Sequence, residues 1–381
     1  MPRNLKVHLW LPNIFQFKGG IQVYCAFLIE ALQEVYPNAF YDVFLKHDTH
    51  YTPNVRVLPE TKFHYGGNIP LKLRTFYFAL LLFISSFQKR PDLIICGHAN
   101  FTPVAHLVQR LMGISYWTVA HGVDAWNLQN PHIIQALRHA DRILAVSHYT
   151  RDRLLQEQAL DPEKVVVLPN TFDTSRFQIA PKPQSLLEKY NLTPDQQVIL
   201  TIARLAGEER YKGYDQIIRA LPEIIKTIPN IHYLIGGKGG DRPRIEKLIQ
   251  DLDLEDYVTL AGFIPDEELA DHYNLCDVFA MPSKGEGFGI VYLEAMACGK
   301  PTIGGNQDGA IDALCNGELG VLVNPDDLDE ISTVITQILE KTYPLPILYQ
   351  PETLRQKVIE IYGFEQFKQN LAQLLSAQFN Q

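Results

Sequence analysis

This 381-residue chain has no apolar run long enough to span a membrane. The longest, Phe76–Ile84, is about half of the roughly 20 residues that cross a bilayer. It reads as a buried helix, and its flank of Lys72, Arg74, Lys89 and Arg90 leaves peripheral membrane contact open. Cysteine is sparse: Cys25, Cys96, Cys276, Cys298 and Cys315 are odd in number and contain no Cys-x-x-Cys. That argues against a disulfide framework or a zinc site and suits a reducing, cytoplasmic setting. No basic, then apolar, leader precedes the strand-like Leu5–Trp10, so no signal peptide is expected. Positive charge is in deficit, with a formal net charge of −9 and no dense basic-aromatic patch, which argues against nucleic acid as a partner. The deficit is uneven: residues 1–190 carry 19 basic and 14 acidic side chains, the remainder 15 and 29. That contrast supports two domains. Two nucleotide-binding fingerprints are also missing. Gly236-Gly237-Lys238-Gly239-Gly240-Asp241 has Arg242 where Gly-x-Gly-x-x-Gly needs its last glycine, and there is no P-loop. Asp251-Leu252-Asp253 and Asp327-Leu328-Asp329 lie in acidic stretches that read as solvated faces or turns, so no metal site is expected.

What the chain does have is alternation. Short apolar runs and helical patterns succeed one another almost throughout, which predicts α/β architecture with parallel sheets. The expected strands of the first half are Val7–Trp10, Asp42–Leu45, Leu93–Cys96, Tyr116–Ala120, Ile143–Val146 and Val165–Leu168. Ile21, Tyr24, Cys25, Leu28, Ile29 and Leu32 share one helical face after the first strand. From Asn170 to about Gln197 the periodicity fades around Pro181 and Pro183, as in an interdomain connection. Strands resume at Val198–Ala203, His232–Gly236, Val258–Ala261, Val278–Met281, Pro301–Ile303 and Gly320–Val323, and about Thr353–Phe379 is helical and amphipathic. The expected division is an N-terminal domain at 1–178, a linker at 179–196 and a C-terminal domain at 197–361, with a last helix at about 362–381. A ligand cleft between two such halves is expected.

The most informative stretch is 283–301. After the strand Val278–Met281 come Glu286, the glycines Gly285, Gly287 and Gly289, then an apolar helix carrying Glu294. A strand end, a turn with exposed N–H groups and a helix N-terminus form an anion site. Carboxylates suit the hydroxyls of sugars and ribose. A ligand part phosphate and part polyol fits both. Arg204, at the end of the first strand of the second half, and Lys212, in Tyr211-Lys212-Gly213, could neutralise a diphosphate. Lys18-Gly19-Gly20 precedes the first helix as a phosphate-approach loop or simply a tight turn. His121, in Ala120-His121-Gly122, sits at a strand's carboxyl end, where ligand contacts gather, and His98 has a similar setting.

Taken together these residues resemble the retaining GT-B glycosyltransferases of family 4. The resemblance runs through Gly19-Gly20, Ala145-Val146-Ser147, Leu168-Pro169-Asn170-Thr171-Phe172-Asp173, Arg204, Lys212-Gly213 and the paired glutamates Glu286 and Glu294. It departs at Ala203, where the family often has glycine, and in the longer stretch Leu205–Tyr211. The resemblance implies two Rossmann-like domains facing a central cleft, with the last helix crossing back to the N-terminal domain. It implies a nucleotide-diphosphate sugar on the C-terminal domain. Glu294 would hold the ribose, and backbone around Gly262, Phe263 and Ile264 the base. Arg204 and Lys212 would hold the diphosphate, approached by Gly19 and Gly20. Glu286, with backbone at Phe288, Gly289 and Ile290, would contact the sugar, and His121 the sugar or the transferring group. The implied catalytic set is His121, Arg204, Lys212 and Glu286, working without metal or other cofactor.

The expected function is then transfer of a hexose, with UDP-glucose the first choice of donor, to a saccharide or lipid-linked acceptor in envelope or exopolysaccharide synthesis. The expected location is cytoplasmic, with attachment to the inner face of the plasma membrane left open. A nucleotide-sugar epimerase or phosphorylase on the same architecture is the alternative, since fold alone does not set chemistry. A dinucleotide-dependent oxidoreductase is disfavoured by the incomplete glycine fingerprint, and an idle sugar-nucleotide binding module by the presence of all four charged site residues.

Overall fold

The computed structural model describes residues 5–16, 19–52 and 57–379. The chain divides into two compact units, one up to Thr171 plus Phe364 onward, the other Phe172–Gly363. The first unit holds a seven-stranded parallel sheet: β1 (Lys6–Leu11), β2 (Phe40–Leu45), β3 (Lys62–Tyr65), β4 (Leu93–Cys96), β5 (Ser115–Ala120), β6 (Arg142–Ala145) and β7 (Val165–Val167), in the order β3-β2-β1-β4-β5-β6-β7. The second holds β8 (Gln197–Ile202), β9 (Ile231–Gly236), β10 (Val258–Gly262), β11 (Val278–Met281), β12 (Thr302–Gly305) and β13 (Val321–Val323), in the order β10-β9-β8-β11-β12-β13. Both are α/β sheets of the doubly wound kind. In each, the strand order reverses beside the unit's first strand, between β1 and β4 and between β8 and β11. Loops at the carboxyl ends of those strands flank a crevice where such sheets take ligands.

The central strands are buried on both faces, which is why they read as unbroken apolar runs. Helix Tyr214–Thr227 shows how the covering layer is made. Ile217, Ile218, Leu221 and Ile224 recur at helical spacing and are fully buried in the core of the second unit. Each contributes roughly 1.5–3 kcal/mol relative to exposure. In the first unit, helix Gly20–Val35 buries Tyr24, Cys25, Leu28, Ile29 and Leu32, with Ile21 half-buried.

Three expectations differ from the structure. The four-residue edge strand β3 is not among the expected strands, its alternation being confined to Lys62–Tyr65; none of its residues is fully buried. The segment 179–196 contains a helix, Gln184–Lys189, that buries Leu186 and Leu187, and Lys182 pairs with Asp277 at 2.6 Å. The run Phe76–Ile84 is helical, within Leu71–Lys89, but it is not buried throughout. Phe78 and Leu82 face the core, while Phe76, Tyr77, Leu80 and Ile84 face solvent. Apolar composition alone does not say which face a neighbour covers.

The C-terminal segment is two helices, Pro351–Tyr362 and Phe364–Phe379, separated by Gly363. Gly363 pairs with Phe172, so the chain enters and leaves the second unit side by side. Helix Phe364–Phe379 packs on Gly20–Val35 in the first unit: Phe367 meets Tyr24 edge-on at 5.6 Å, and Lys368 pairs with Glu34 at 2.7 Å.

Candidate active site

The charged residues of the second unit gather where its topology reverses. β8 delivers Arg204, and the kinked 3-10 segment Gly207–Lys212 carries Lys212 back towards the end of β11. Gly213 makes that return possible. Its φ is +85°, and a Cβ there would stand 2.3 Å from the Pro282 carbonyl oxygen. An L side chain would be strained in conformation and would also push the two loops apart. Tyr211 adds to the seam, its carbonyl accepting from the Lys284 amide at 2.9 Å.

Lys212 Nζ meets Glu286 Oε1 in a direct ion pair, both side chains mostly shielded from solvent. Burial alone would lower the Lys212 pKa, but Glu286 and Tyr211 outweigh it, and the ammonium is held above its usual value. Arg204 is more exposed and pairs with Glu209, a residue that sequence reasoning passed over. Each cation therefore has a carboxylate partner that an anionic ligand would have to rival.

The glutamate loop is pinned from beneath by a buried residue that no motif marked. Asp308, after β12, accepts from Ser283 Oγ at 2.7 Å, from the amides of Gly285 and Glu286 at 2.8 Å each, and from Ala310 N at 2.9 Å. Burial raises its pKa to about 6, against the downward pull of those hydrogen bonds. The Gly309 amide donates to the Glu286 carbonyl at 2.8 Å, and a Cβ at Gly309 would lie 2.1 Å from the Gly287 carbonyl oxygen. The signal available in the sequence was only Gln307-Asp308-Gly309 after a strand, too common a turn to single out.

Gly289, at φ +91°, turns the chain into helix Ile290–Ala297 and packs on the Tyr292 ring. Phe288 is buried and Ile290 starts the helix, whose first N–H groups have no partner within the helix. One turn on, Glu294 accepts from the buried Tyr273 hydroxyl at 2.7 Å, which orients its carboxylate. Beyond β9 and β10, the Gly237 amide donates to the Gly262 carbonyl at 2.7 Å. Ile264 packs tightly on Gly236, leaving no room there for a Cβ. Phe263 stays 62% exposed, with the Lys238 ammonium 4.6 Å from its ring centre. The glycine stretch 236–240 is thus part of this loop framework. Asp241 at its end is held by Arg244 and Tyr214, with Asp215 completing the ion cluster. Asp327 caps helix Leu328–Leu339, accepting from the Glu330 amide at 2.9 Å.

Gly19, Gly20 and His121 belong to the first unit, and Lys18 lies outside the described residues. Gly19 caps helix Gly20–Val35, and a Cβ on Gly20 would meet nothing within 4 Å. The fold therefore leaves position 20 open. His121 follows β5, its Nε2 3.0 Å from the Gly97 carbonyl. Nε2 must carry the proton in that bond, which leaves Nδ1 as an acceptor. Burial lowers the His121 pKa to about 3, despite the Gly97 hydrogen bond, so the ring is neutral at physiological pH. The His121 amide donates to Asp124 Oδ1 at 2.9 Å; burial raises the Asp124 pKa to about 7. His98 caps a short helix through Nδ1, which accepts from the Asn100 amide at 3.2 Å.

Two family descriptions match the chain. Residues 184–357 match "Glycosyl transferases group 1", and residues 18–176 match "Glycosyltransferase Family 4". This chain belongs to the family 4, group 1 glycosyltransferases. Within the family, it is 37% identical over 211 residues to the GDP-mannose-dependent alpha-(1-6)-phosphatidylinositol monomannoside mannosyltransferase of Mycolicibacterium smegmatis, a match covering 52% of this chain and 53% of that protein. The chain thus spans about half the length of the curated relatives it matches. Its fold is that of the sucrose-phosphate synthase of Thermosynechococcus elongatus, with a TM-score of 0.81 at 22% identity over 99% of both chains. Anabaena HepE, solved in complex with UDP-glucose, gives a TM-score of 0.78 at 19% identity over 98% of this chain and 100% of its own. The fold is GT-B.

Proposed function

We propose that this protein is a retaining glycosyltransferase that moves a hexose from a nucleotide-diphosphate sugar to a saccharide or lipid-linked acceptor. The observation that carries the reading is the convergence of Arg204, Lys212, Glu286 and the Gly289 helix start at the strand ends of β8 and β11. In this reading the diphosphate displaces Glu209 from Arg204 and shares Lys212 with Glu286. Glu294, steadied by Tyr273, accepts from the ribose hydroxyls, and the base lies by Phe263 and Ile264. Glu286 and the N–H groups at Phe288, Gly289 and Ile290 take the sugar hydroxyls. As the bond from the anomeric carbon to the phosphate oxygen breaks, the electron pair goes to the diphosphate and positive character develops on the sugar. Arg204, Lys212 and the helix N-terminus stabilise that leaving charge with no need for metal in the scheme. The acceptor hydroxyl attacks from the same face and gives its proton to the departing phosphate oxygen. His121, neutral with Nδ1 available, positions a hydroxyl and does not donate a proton.

UDP-glucose remains the first choice of donor. GDP-mannose is the second, favoured by the 37% identity to the mycobacterial mannosyltransferase. Incubation with a panel of nucleotide sugars and candidate acceptors, read by nucleotide release and product linkage, tests both. Release of UDP or GDP with a new α-linked glycoside is expected. An isomerised sugar nucleotide, or no binding across the panel, overturns the proposal.

A further inference from the structure

Helix Leu71–Lys89 turns a stripe of six large apolar side chains to solvent. Leu73, Phe76, Tyr77, Leu80, Ile84 and Phe87 follow each other at intervals that place them within one helical face, and Phe76 is 75% exposed. The opposite face is the one that packs, through Phe78, Leu82, Ser85 and Ser86. The stripe does not stop at the helix. Phe83 and Phe87 share a groove with Leu111 and Met112 of the neighbouring helix Thr102–Met112, where Leu107 and Leu111 are also exposed. An apolar surface of this extent on a water-facing helix calls for a partner.

Charge identifies the partner. Between Glu60 and Asp124 the sequence has a single acidic residue, Asp92, against Lys62, Lys72, Arg74, Lys89, Arg90 and Arg110. Asp92 is exposed, and its carboxylate accepts from the Lys6 amide at 2.8 Å, so the basic side chains still outnumber it. Lys72, Arg90 and Arg110 are exposed, at the two ends of the stripe and on the adjoining helix. A second copy of this chain would bring the same cations against one another. An anionic bilayer accepts both the apolar side chains and the basic rim. No helix among the described residues is long and apolar enough to cross a membrane, so this one would lie along the surface.

We propose that the helix Leu71–Lys89 docks this protein on membranes rich in anionic phospholipid, with the Leu73–Phe87 stripe seated among the upper acyl chains and the basic residues among the headgroups. The helix begins just after β3, at the carboxyl edge of the parallel strands, the edge from which the His121 turn also emerges. Docking therefore places the loops of that edge beside lipid headgroups, where a lipid-linked acceptor would present its hydroxyl. The docking itself does not rest on the proposed transfer reaction.

Flotation of the full chain with vesicles tests it, using phosphatidylcholine alone and phosphatidylcholine with about one-third phosphatidylglycerol, at low and high salt. Binding to the anionic vesicles is expected, weakened by salt and weak on phosphatidylcholine alone. The triple variant Leu73→Ser, Phe76→Ser, Phe87→Ser should lose roughly tenfold or more in vesicle partition. Lys72→Glu with Arg90→Glu should lose the preference for anionic lipid. These side chains are exposed, so the thermal melting of both variants should match the wild type. Absence of flotation with anionic vesicles, or equal flotation by the wild type and folded variants, overturns the proposal. So does a dimer seen by sedimentation that the serine variants dissolve, since a second copy would then cover the face.

Discussion

Replacing Asp308 tests how the glutamate loop is built. The residue is completely buried and its carboxylate serves four donors, three of them within Ser283–Glu286. Asp308→Ala strands those donors in the interior. At about 1–3 kcal/mol for each buried group left unsatisfied, with part recovered by water and loop movement, the loss before any relief of charge should be roughly 3–5 kcal/mol. Relief of the buried charge sets the other side of the balance: a carboxyl pKa raised from 3.8 to about 6 means the charged form costs about 3 kcal/mol. Asp308→Asn separates the two effects. One amide oxygen can keep the Ser283, Gly285 and Glu286 donors, while the amide nitrogen faces Ala310 N and loses that bond. Its stability should lie near the wild type. The sign follows from the raised pKa: the wild type loses stability as pH rises from 3.8 to about 6 and the Asn variant does not, so their difference should shift towards Asn by about 3 kcal/mol across that window. Urea unfolding at several pH values measures this. Calorimetric titration with UDP-glucose then reads the loop, because a disordered Ser283–Glu286 must be ordered on binding at about 1 kcal/mol per residue, roughly a thousandfold in affinity for Asp308→Ala. Near pH 4, where Asp308 is still protonated in the folded protein, an Ala variant within about 0.5 kcal/mol of the wild type, the ordinary range of a surface change, with unchanged donor affinity would refute the reasoning.

Other outcomes follow from the same structure. Glu294→Ala should weaken donor binding about tenfold to a hundredfold, by loss of charge-assisted bonds to ribose, and should lower the melting temperature because the buried Tyr273 hydroxyl loses its acceptor, at a cost of about 1–3 kcal/mol. Glu209→Gln should tighten donor binding a few-fold at low salt by freeing Arg204, an effect that calorimetry with added salt should erase. Gly213→Ala should destabilise strongly, because its φ of +85° and the Pro282 oxygen at 2.3 Å both resist a Cβ, whereas Gly20→Ala should melt as the wild type does and lose activity only. His8 is buried with its pKa lowered from 6.5 to about 3 by burial, despite the nearby Asp42, so it contributes stability above pH 6.5 that is lost as pH falls towards 3. His8→Gln should flatten the acid limb of a stability profile measured between those limits.

Much of the architecture was legible in the sequence because parallel strands buried on both faces leave continuous apolar runs. Val7–Trp10, Leu93–Cys96 and Val278–Met281 read as strands for that reason. The pattern failed where burial is partial. β3 alternates only over Lys62–Tyr65 at a sheet edge, and helix Leu71–Lys89 is as apolar as a core helix yet has only one face covered. In the site, the charged residues stood out because their chemistry lies in side chains at strand ends, as with Arg204, Lys212 and Glu286. Asp308 did not, because it works on the backbone of residues more than 20 positions away. Glu209 was hidden likewise, since its role depends on a turn that folds it back on Arg204.

The most direct measurement of the central claim is calorimetric titration of the wild type, Arg204→Ala and Lys212→Ala with UDP-glucose, GDP-mannose, UDP and GDP. The account predicts that one nucleotide and its sugar bind the wild type, that both cation variants lose affinity for the bare diphosphate, and that Arg204→Ala loses more in turnover than in donor binding. Absence of binding by every nucleotide, or equal affinity in all three proteins, would contradict it.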